Sequence, residues 1–167
     1  MVELSTILAN AELVGLSFLA SMGFGIVFRI QKQYLLLAGL SGALTRIVYL
    51  CLLAITDNRA IYMLLAAMFA AAVAEVMAGR NGTPSTVFLY PSIVPLIPGD
   101  LVYYTMTGIV LKRTEWVIEY GWNLIIALVF MCVGFVLLST LVHYTRRNRL
   151  YQLITGTGKE KPVAKKR

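Results

Sequence analysis

Long apolar stretches that recur along almost the whole chain restrict the fold more than any other feature of the sequence. A transmembrane α-helix needs about 20 mostly apolar residues, and the 167-residue chain contains five such stretches. Hydrophobic residues make up 59% of the sequence and charged residues 14%, whereas a soluble domain has roughly 45–50% and about 25%. The sequence therefore predicts an all-α, polytopic membrane helix bundle without a separate soluble domain.

The limits of the predicted spans follow from the polar residues that interrupt the apolar stretches. About five spans are expected, at residues 11–28, 34–56, 60–78, 86–111 and 121–144, with a polar loop at 112–120. Residues 1–145 would form the transmembrane domain, and residues 146–167 a basic cytoplasmic tail that we expect to be disordered. No Lys or Arg precedes Arg29, so the first stretch is predicted to be a retained helix rather than a signal peptide.

The stretch at 86–111 differs from the others because it contains three prolines, Pro91, Pro95 and Pro98. A proline inside a helix removes a backbone donor and collides with the preceding turn, so we expect a broken helix here. Broken backbone is tolerated at membrane depth only where protein or a water-filled cavity surrounds it. The stretch is therefore predicted to lie among the other helices, either as a full span or as a re-entrant element.

The distribution of Lys and Arg predicts the orientation of the chain. With five spans, one side of the membrane would hold eleven of these residues and the other side three, with Arg46 inside the membrane. Positive residues favour the cytoplasmic side, so we expect a plasma-membrane protein with its N-terminus outside and its C-terminus in the cytoplasm. A re-entrant fourth stretch would instead place both ends on one side.

The basic residues near the C-terminus have two interpretations. Runs of Lys and Arg can bind nucleic acid. Beside a membrane span they are more often a topology signal next to anionic lipid. We favour the second interpretation and expect the lipid bilayer, and no nucleic acid, as a partner of this segment.

Three ionisable residues are candidates for binding and coupling. Arg46 lies near the middle of the second span, where a charge costs at least about 2.5 kcal/mol and needs a partner or a cavity. It could bind an anionic group of a substrate, or form an ion pair with Glu75 or Asp100. Either carboxylate could bind a coupling proton or ion. The alternatives are an interfacial position for Glu75 and a helix N-cap role for Asp100.

The proline-broken stretch could itself bind a substrate. Secondary transporters bind substrates at discontinuous helices near the bilayer midplane, through free N–H groups of half-helix N-termini and through freed carbonyls. The predicted substrate site combines the residues around the break with the intramembrane arginine: Arg46, Pro95, Pro98, Gly99, Asp100 and Tyr103. The alternative is a proline kink that only shapes helix packing.

Small residues on the first two spans predict close helix packing. Gly23 and Gly25 lie in the first span, and Gly39 and Gly42 in the second, where each is four residues from an alanine. Small residues at this spacing let membrane helices approach closely. We therefore expect all four glycines at helix–helix contacts.

The sequence gives no support to catalysis, a metal site or a cofactor. The two aspartates are Asp57, in a predicted loop, and Asp100, so a pair of membrane carboxylates acting together is not expected. The single histidine, His143, lies at the membrane edge, at the wrong depth for a buried Ser–His pair. Cys51 and Cys132 lack CxxC or His-rich neighbours. We expect a non-enzymatic protein without metal or cofactor.

Four segments, taken in their order and spacing, resemble one known family. They are Met22-Gly-Phe-Gly-Ile-Val-Phe28; Leu37-Ala-Gly-Leu-Ser-Gly42 with Thr45-Arg46; Ala74-Glu-Val-Met-Ala-Gly-Arg80 with Pro84 and Val87-Phe88; and Val94-Pro-Leu-Ile-Pro-Gly99 with Tyr103. Together they resemble the threonine/serine exporter family, in the form in which a small separate subunit corresponds to the C-terminal half of single-chain members. The resemblance covers about residues 13–141.

The resemblance implies a larger membrane subunit as partner, which would correspond to the N-terminal half. It implies export of threonine and serine, or of succinate in the two-component form. The predicted function is one subunit of a two-component secondary exporter of small carboxylate metabolites, with Glu75 or Asp100 as coupling group. The alternative is a non-transporting scaffold that stabilises the larger partner. Assembly of several copies of the chain stays open.

Overall fold

A computed structural model describes the backbone of residues 2–154 and the side chains of residues 10–145. The described residues form six α-helices and one short 3₁₀ turn, without a strand. The elements are α1 (Val2–Val27), α2 (Lys32–Ile55), α3 (Arg59–Asn81), α4 (Thr86–Ile93), the 3₁₀ turn (Val94–Leu96), α5 (Gly99–Val110) and α6 (Thr114–Ile154). The all-α prediction is confirmed.

Four helices are long and apolar enough to cross a membrane on their own, namely α1, α2, α3 and α6. The helices α4 and α5 reach that length only as a pair, and they are bent by 55° relative to each other. The predicted proline-broken helix is therefore confirmed. We call residues 94–98, between α4 and α5, the break.

Contacts with α3 define the course of the broken helix. Phe88 of α4 packs in one buried cluster with Ala78, near the end of α3. Leu101 of α5 packs in another cluster with Tyr62, near the start of α3. The pair α4–α5 therefore runs antiparallel to α3 over most of its length, so the broken helix crosses the bundle and is not re-entrant.

The direction of α6 agrees with this course. Ala127 of α6 packs with Met63 near the start of α3, and Val142 lines a cleft with Gly79 near its end. α6 is therefore parallel to α3, which requires the chain to return across the bundle between them. Because the first part of α1 lies beside the end of α2, α1 begins and α6 ends at opposite ends of the bundle.

The central helix of the bundle is α3, which packs against α2, α4 and α6. Its buried face consists largely of alanines: Ala66, Ala67, Ala70, Ala71, Ala74 and Ala78. Side chains this small let neighbouring backbones come close. Gly134 of α6 uses this space, since a Cβ there would lie 2.6 Å from the carbonyl oxygen of Leu64.

α6 is longer than the sequence predicts at both ends. Most of the polar loop expected at 112–120 is helical, because α6 begins at Thr114. The ring of Tyr120 stacks on that of Tyr104 in α5, with centroids 5.0 Å apart, and such packing stabilises this polar turn as helix. At the other end α6 continues to Ile154, past the predicted start of the tail, and residues 155–167 lie outside the described part.

Three of the four glycines predicted at helix contacts lie where α1 and α2 approach each other. A Cβ on Gly42 would collide with Ser21 Oγ, and a Cβ on Gly39 or Gly25 would lie 2.8 or 3.0 Å from a side chain of the facing helix. Gly23 lies at no contact between the described helices. Its side of α1 faces away from α2, and a Cβ there would meet nothing within 4 Å.

Candidate functional site

The break between α4 and α5 is produced by its prolines. A carbonyl in an α-helix accepts a hydrogen bond from the N–H four residues later, and proline has no N–H. Pro95 therefore leaves the carbonyl of Pro91 without its helical donor. The chain continues through the 3₁₀ turn, Pro98 occupies the N-cap position of α5, and regular helix resumes at Gly99.

Neighbouring helices supply donors to carbonyls at the break. Ser21 of α1 donates a buried hydrogen bond of 2.9 Å from Oγ to the carbonyl oxygen of Pro91. Arg46 of α2 places Nη1 3.5 Å from the carbonyl oxygen of Pro95, which is the long limit of a hydrogen bond. The break is thus held between α1 and α2, as expected for broken backbone at membrane depth.

Arg46 has hydrogen-bonding capacity that the described residues do not use. Its guanidinium lies over the ring of Tyr49, 5.1 Å from the centroid, and its Nε is buried without a hydrogen-bond partner among the described residues. A guanidinium has five N–H donors, and leaving a buried donor unpaired costs about 1–3 kcal/mol. An oxygen anion that reached this arginine would find donors available.

The remaining predicted residues of the break differ in burial. Pro98 is buried and Pro95 half-buried, whereas Gly99 and Asp100 are exposed. Tyr103 is 64% exposed and lies beyond the first turn of α5. The structure therefore brings Arg46 against the prolines, while the residues that follow them lie on the outer side of α5.

An N-cap role for Asp100 is wrong. Pro98 occupies the N-cap position of α5 without a side-chain hydrogen bond, and Asp100 lies in the first turn. The reason is that the helix already begins at Gly99, so that the N-cap position lies at Pro98, two residues before the aspartate. In the first turn the carboxylate still interacts favourably with the positive end of the helix dipole.

Glu75 lies in a different part of the bundle from the break, half-buried where α3 faces α6. A cleft of about 500 Å³ is lined by Glu75 together with His143 and Ser139 of α6. A second cleft of about 370 Å³ is lined by Glu75 and Arg80. The structure thus places this carboxylate between one polar and one largely apolar cleft, near the end of the bundle where α3 ends.

Two residues of the site were missed by the sequence reasoning. Tyr49 lies one helical turn after Arg46, and this spacing of three residues on a helix could have indicated the contact. Ser21 lies among small residues of α1, but its role depends on the carbonyl that Pro95 frees on another helix. Only the packing of α1 against α4 brings donor and acceptor together.

Comparison with known protein families gives a match over most of the chain. The family model described as Threonine/Serine exporter, ThrE, matches residues 13–141. The matched segment contains Arg46, Glu75 and the whole broken helix. Neither the curated proteins nor the solved structures contain a match to the chain.

Proposed function

The chain belongs to the threonine/serine exporter family, and on that premise we propose that it is one subunit of a two-component secondary exporter of small carboxylate metabolites. Threonine and serine are the substrates in the family's description. A dicarboxylate such as succinate shares the carboxylate group. In this proposal Arg46 and the break bind the substrate inside the membrane.

The observation that carries the proposal is the incomplete pairing of Arg46. Its contact with Pro95 is 3.5 Å long, whereas a charge-assisted bond from arginine to carboxylate is about 2.7–2.9 Å long and roughly twice as strong as a neutral one. An entering carboxylate would therefore replace the weak contact and also reach the buried Nε. The carbonyl oxygen of Pro95 would then become free.

The same geometry favours an amino acid over a dicarboxylate. An amino acid presents a carboxylate and an ammonium group on one carbon. Arg46 offers donors to the carboxylate, and the adjacent carbonyl of Pro95 offers an acceptor to the ammonium group. A second carboxylate would find no second cation in contact with the break among the described side chains, where Arg46 alone places a charged group against it. We therefore propose threonine or serine before succinate.

Coupling is proposed at Glu75 rather than at Asp100. Glu75 is half-buried and shares a cleft with His143, so protonation would change the charge of a partly desolvated region. Asp100 is exposed and lines neither of the clefts that contain Glu75. The distribution of Lys and Arg supports a cytoplasmic C-terminus and an external N-terminus.

The larger subunit is proposed to cover α5. Among the described helices, the backbone of α5 packs against α6 alone, although broken helices need protein on several sides. The helices α1 and α6 are also the least enclosed of the four long spans. Of the apolar stretch in each helix, 11% is buried in α1 and 17% in α6, against 33% in α2 and 39% in α3. A partner on these faces would complete the enclosure of the break.

Export assays in cells lacking the gene test the function. Cells fed a threonine- or serine-containing dipeptide should accumulate the free amino acid several-fold, and the wild-type chain should restore efflux. Normal efflux, with normal amounts of the larger subunit, would refute the proposal. If extra larger subunit alone restores efflux, the chain is a stabilising scaffold instead.

A further inference from the structure

A cavity of about 340 Å³ lies at one end of the bundle, where α1 is followed by α2 and α3 by α4. We call it the end cavity. Its walls include three aromatic rings, those of Phe28, Tyr34 and Tyr90, and four polar side chains, among them Arg29, Thr83 and Thr86. The rings of Phe28 and Tyr90 are stacked with their centroids 5.1 Å apart, so one wall is already formed.

The polar groups of the end cavity suit an anion. Arg29 is its one charged lining residue, and no acidic side chain of the described residues lines it. Arg29 has a φ of 55°, which is the left-handed conformation. The residue that adopts this conformation after a helix is usually a glycine. Thr83 Oγ1 is buried and lacks a hydrogen-bond partner among the described residues. A small oxygen anion could satisfy both side chains.

The end cavity and Arg46 lie in sequence along α2. Tyr34 lines the cavity, and Arg46, at the break, is about three helical turns further on. Between them, α1, α2 and α4 meet at Ser21, Gly42 and Pro91. Ser21 is 0% exposed and donates to the carbonyl of Pro91, and a Cβ on Gly42 would lie 3.2 Å from that carbonyl oxygen. This three-helix contact closes the route between the two places.

We propose that the end cavity is the site where the carboxylate substrate first binds, and that the three-helix contact is a closed gate between it and Arg46. The inference rests on the proposed function, since it assigns the cavity to the same substrate. The carboxylate would bind Arg29 and the Thr83 hydroxyl, with the aromatic rings around its apolar part. Passage to Arg46 would require the Ser21–Pro91 hydrogen bond to break and α1 to separate from α4.

Cysteine labelling tests the anion site without relying on transport. The two free cysteines, Cys51 and Cys132, are first replaced by alanine, and Thr86→Cys is introduced at the cavity. In sealed membrane vesicles, a negatively charged methanethiosulfonate should react faster than a positively charged one. Arg29→Gln should lower this rate ratio by more than fivefold, because one charge at about 4 Å in water changes the rate of each reagent by about fivefold and in opposite directions. Lys32→Gln, outside the lining, should change it less than twofold.

An unchanged ratio in Arg29→Gln would overturn the anion site. Val87→Cys, also in the lining, provides a second labelling position if Thr86→Cys does not fold. Because labelling is measured without export, this failure is distinct from a failure of the proposed function. Absent export with intact charge selectivity would count against the proposed function alone.

The ligand is tested by protection. Threonine or serine at millimolar concentration should slow labelling at least threefold, whereas threoninol, which lacks the carboxylate, should not. A lipid phosphate has the same anion chemistry as a carboxylate. Labelling rates in vesicles of phosphatidylcholine and of phosphatidylglycerol are therefore compared, to distinguish a lipid phosphate from a substrate carboxylate. Protection by phosphatidylglycerol, without protection by the amino acids, would overturn the assignment to a substrate.

The gate is tested with a cysteine on its far side. Tyr49→Cys should be labelled at least tenfold more slowly than Thr86→Cys when the reagent is on the end-cavity side. Ser21→Ala, which removes a hydrogen bond of the gate, should narrow this difference. Equal labelling of the two positions in the otherwise unchanged chain would contradict the gate.

Discussion

α4 packs against α1, α2 and α3, whereas α5, which continues it beyond the break, packs with its backbone against α6 alone among the described helices. The two halves have similar apolar composition, so the difference comes from the break. Its 55° bend directs α5 away from the centre. Phe88 of α4 is fully buried, while Val110 of α5 is 79% exposed. α4 therefore belongs to the core, and α5 belongs to a hairpin with α6.

The hairpin of α5 and α6 is held by its own contacts. Gly108 of α5 lies so close to α6 that a Cβ there would be 3.1 Å from the Cβ of Trp116. The rings of Tyr104 and Tyr120 stack across the two helices. Because α6 packs closely against α3, whereas the backbone of α5 contacts α6 alone among the described helices, α5 is the part of the hairpin that can bind a partner without disrupting α4. This contrast supports the proposal that the larger subunit binds on the α5 side.

Reporters fused to the two ends of the chain give the largest expected effect, since their readings are all-or-none. If the broken helix crosses the whole bundle, a reporter at the N-terminus should be active only outside the cell and one at the C-terminus only in the cytoplasm. Accessibility of a tag to an added protease measures the same property. Two cytoplasmic ends would contradict the crossing of α5.

Truncation of one leucine after α4 and of one after α5 should show the difference in packing between the two parts of the broken helix. Leu96, at the end of the 3₁₀ turn after α4, is 1% exposed, whereas Leu111, which follows α5, is 55% exposed. Leu96→Ala should reduce the free energy of unfolding in detergent by about 3 kcal/mol, because it leaves a cavity. Leu111→Ala should reduce it by less than about 1 kcal/mol. Equal losses would show that α5 is enclosed like α4.

Addition of one methyl group should change the free energy of unfolding in opposite directions at two glycines. Gly42→Ala should lower the free energy of unfolding by about 2 kcal/mol, because the Cβ collides with Ser21 and approaches the backbone of α4. Gly23→Ala should raise it by up to about 1 kcal/mol, since alanine is the better helix former and the position is open. Thermal denaturation of both variants measures the two changes in stability. A stabilising Gly42→Ala would refute the three-helix contact.

Removal of single hydroxyls gives the smallest expected effect. Ser21→Ala removes a buried hydrogen bond between helices and should lower the free energy of unfolding by about 1 kcal/mol. Ser17→Ala is the matched control, because Ser17 donates to Leu13 within its own helix at an exposed position. Chemical denaturation should separate the two variants. Equal stabilities would show that the freed carbonyl of Pro91 does not need its donor.

The spans and the break were predictable because their causes are local in the sequence. Apolar stretches of sufficient length predict membrane helices, and the prolines interrupt the helix wherever it packs. The position of Arg46 within an apolar span also predicted that its charge needs a partner or a cavity. That it reaches the carbonyl of Pro95 was consistent with this prediction, although the sequence offered Glu75 and Asp100 as partners instead.

The features that the sequence did not predict depend on the relative positions of helices. Gly23 and Gly25 look equivalent in the sequence, but only Gly25 faces α2, and the rotation of α1 about its axis decides this. The first turns of α6 read as a polar loop, and contacts between Tyr120 and α5 stabilise them as helix. The end cavity is formed by two turns far apart in the chain, so no local pattern indicated it.

The central claim, that Arg46 binds the carboxylate of the exported metabolite, is tested most directly by the initial rate of threonine efflux from cells expressing Arg46→Gln with the larger subunit. Lys112→Gln, in the exposed turn between α5 and α6, is the control, and immunoblots confirm equal amounts in the membrane. We predict a loss of at least about tenfold for Arg46→Gln, since a hydrogen bond to a charged group is worth about 1.5–3 kcal/mol. Efflux as fast as that of Lys112→Gln would contradict the claim.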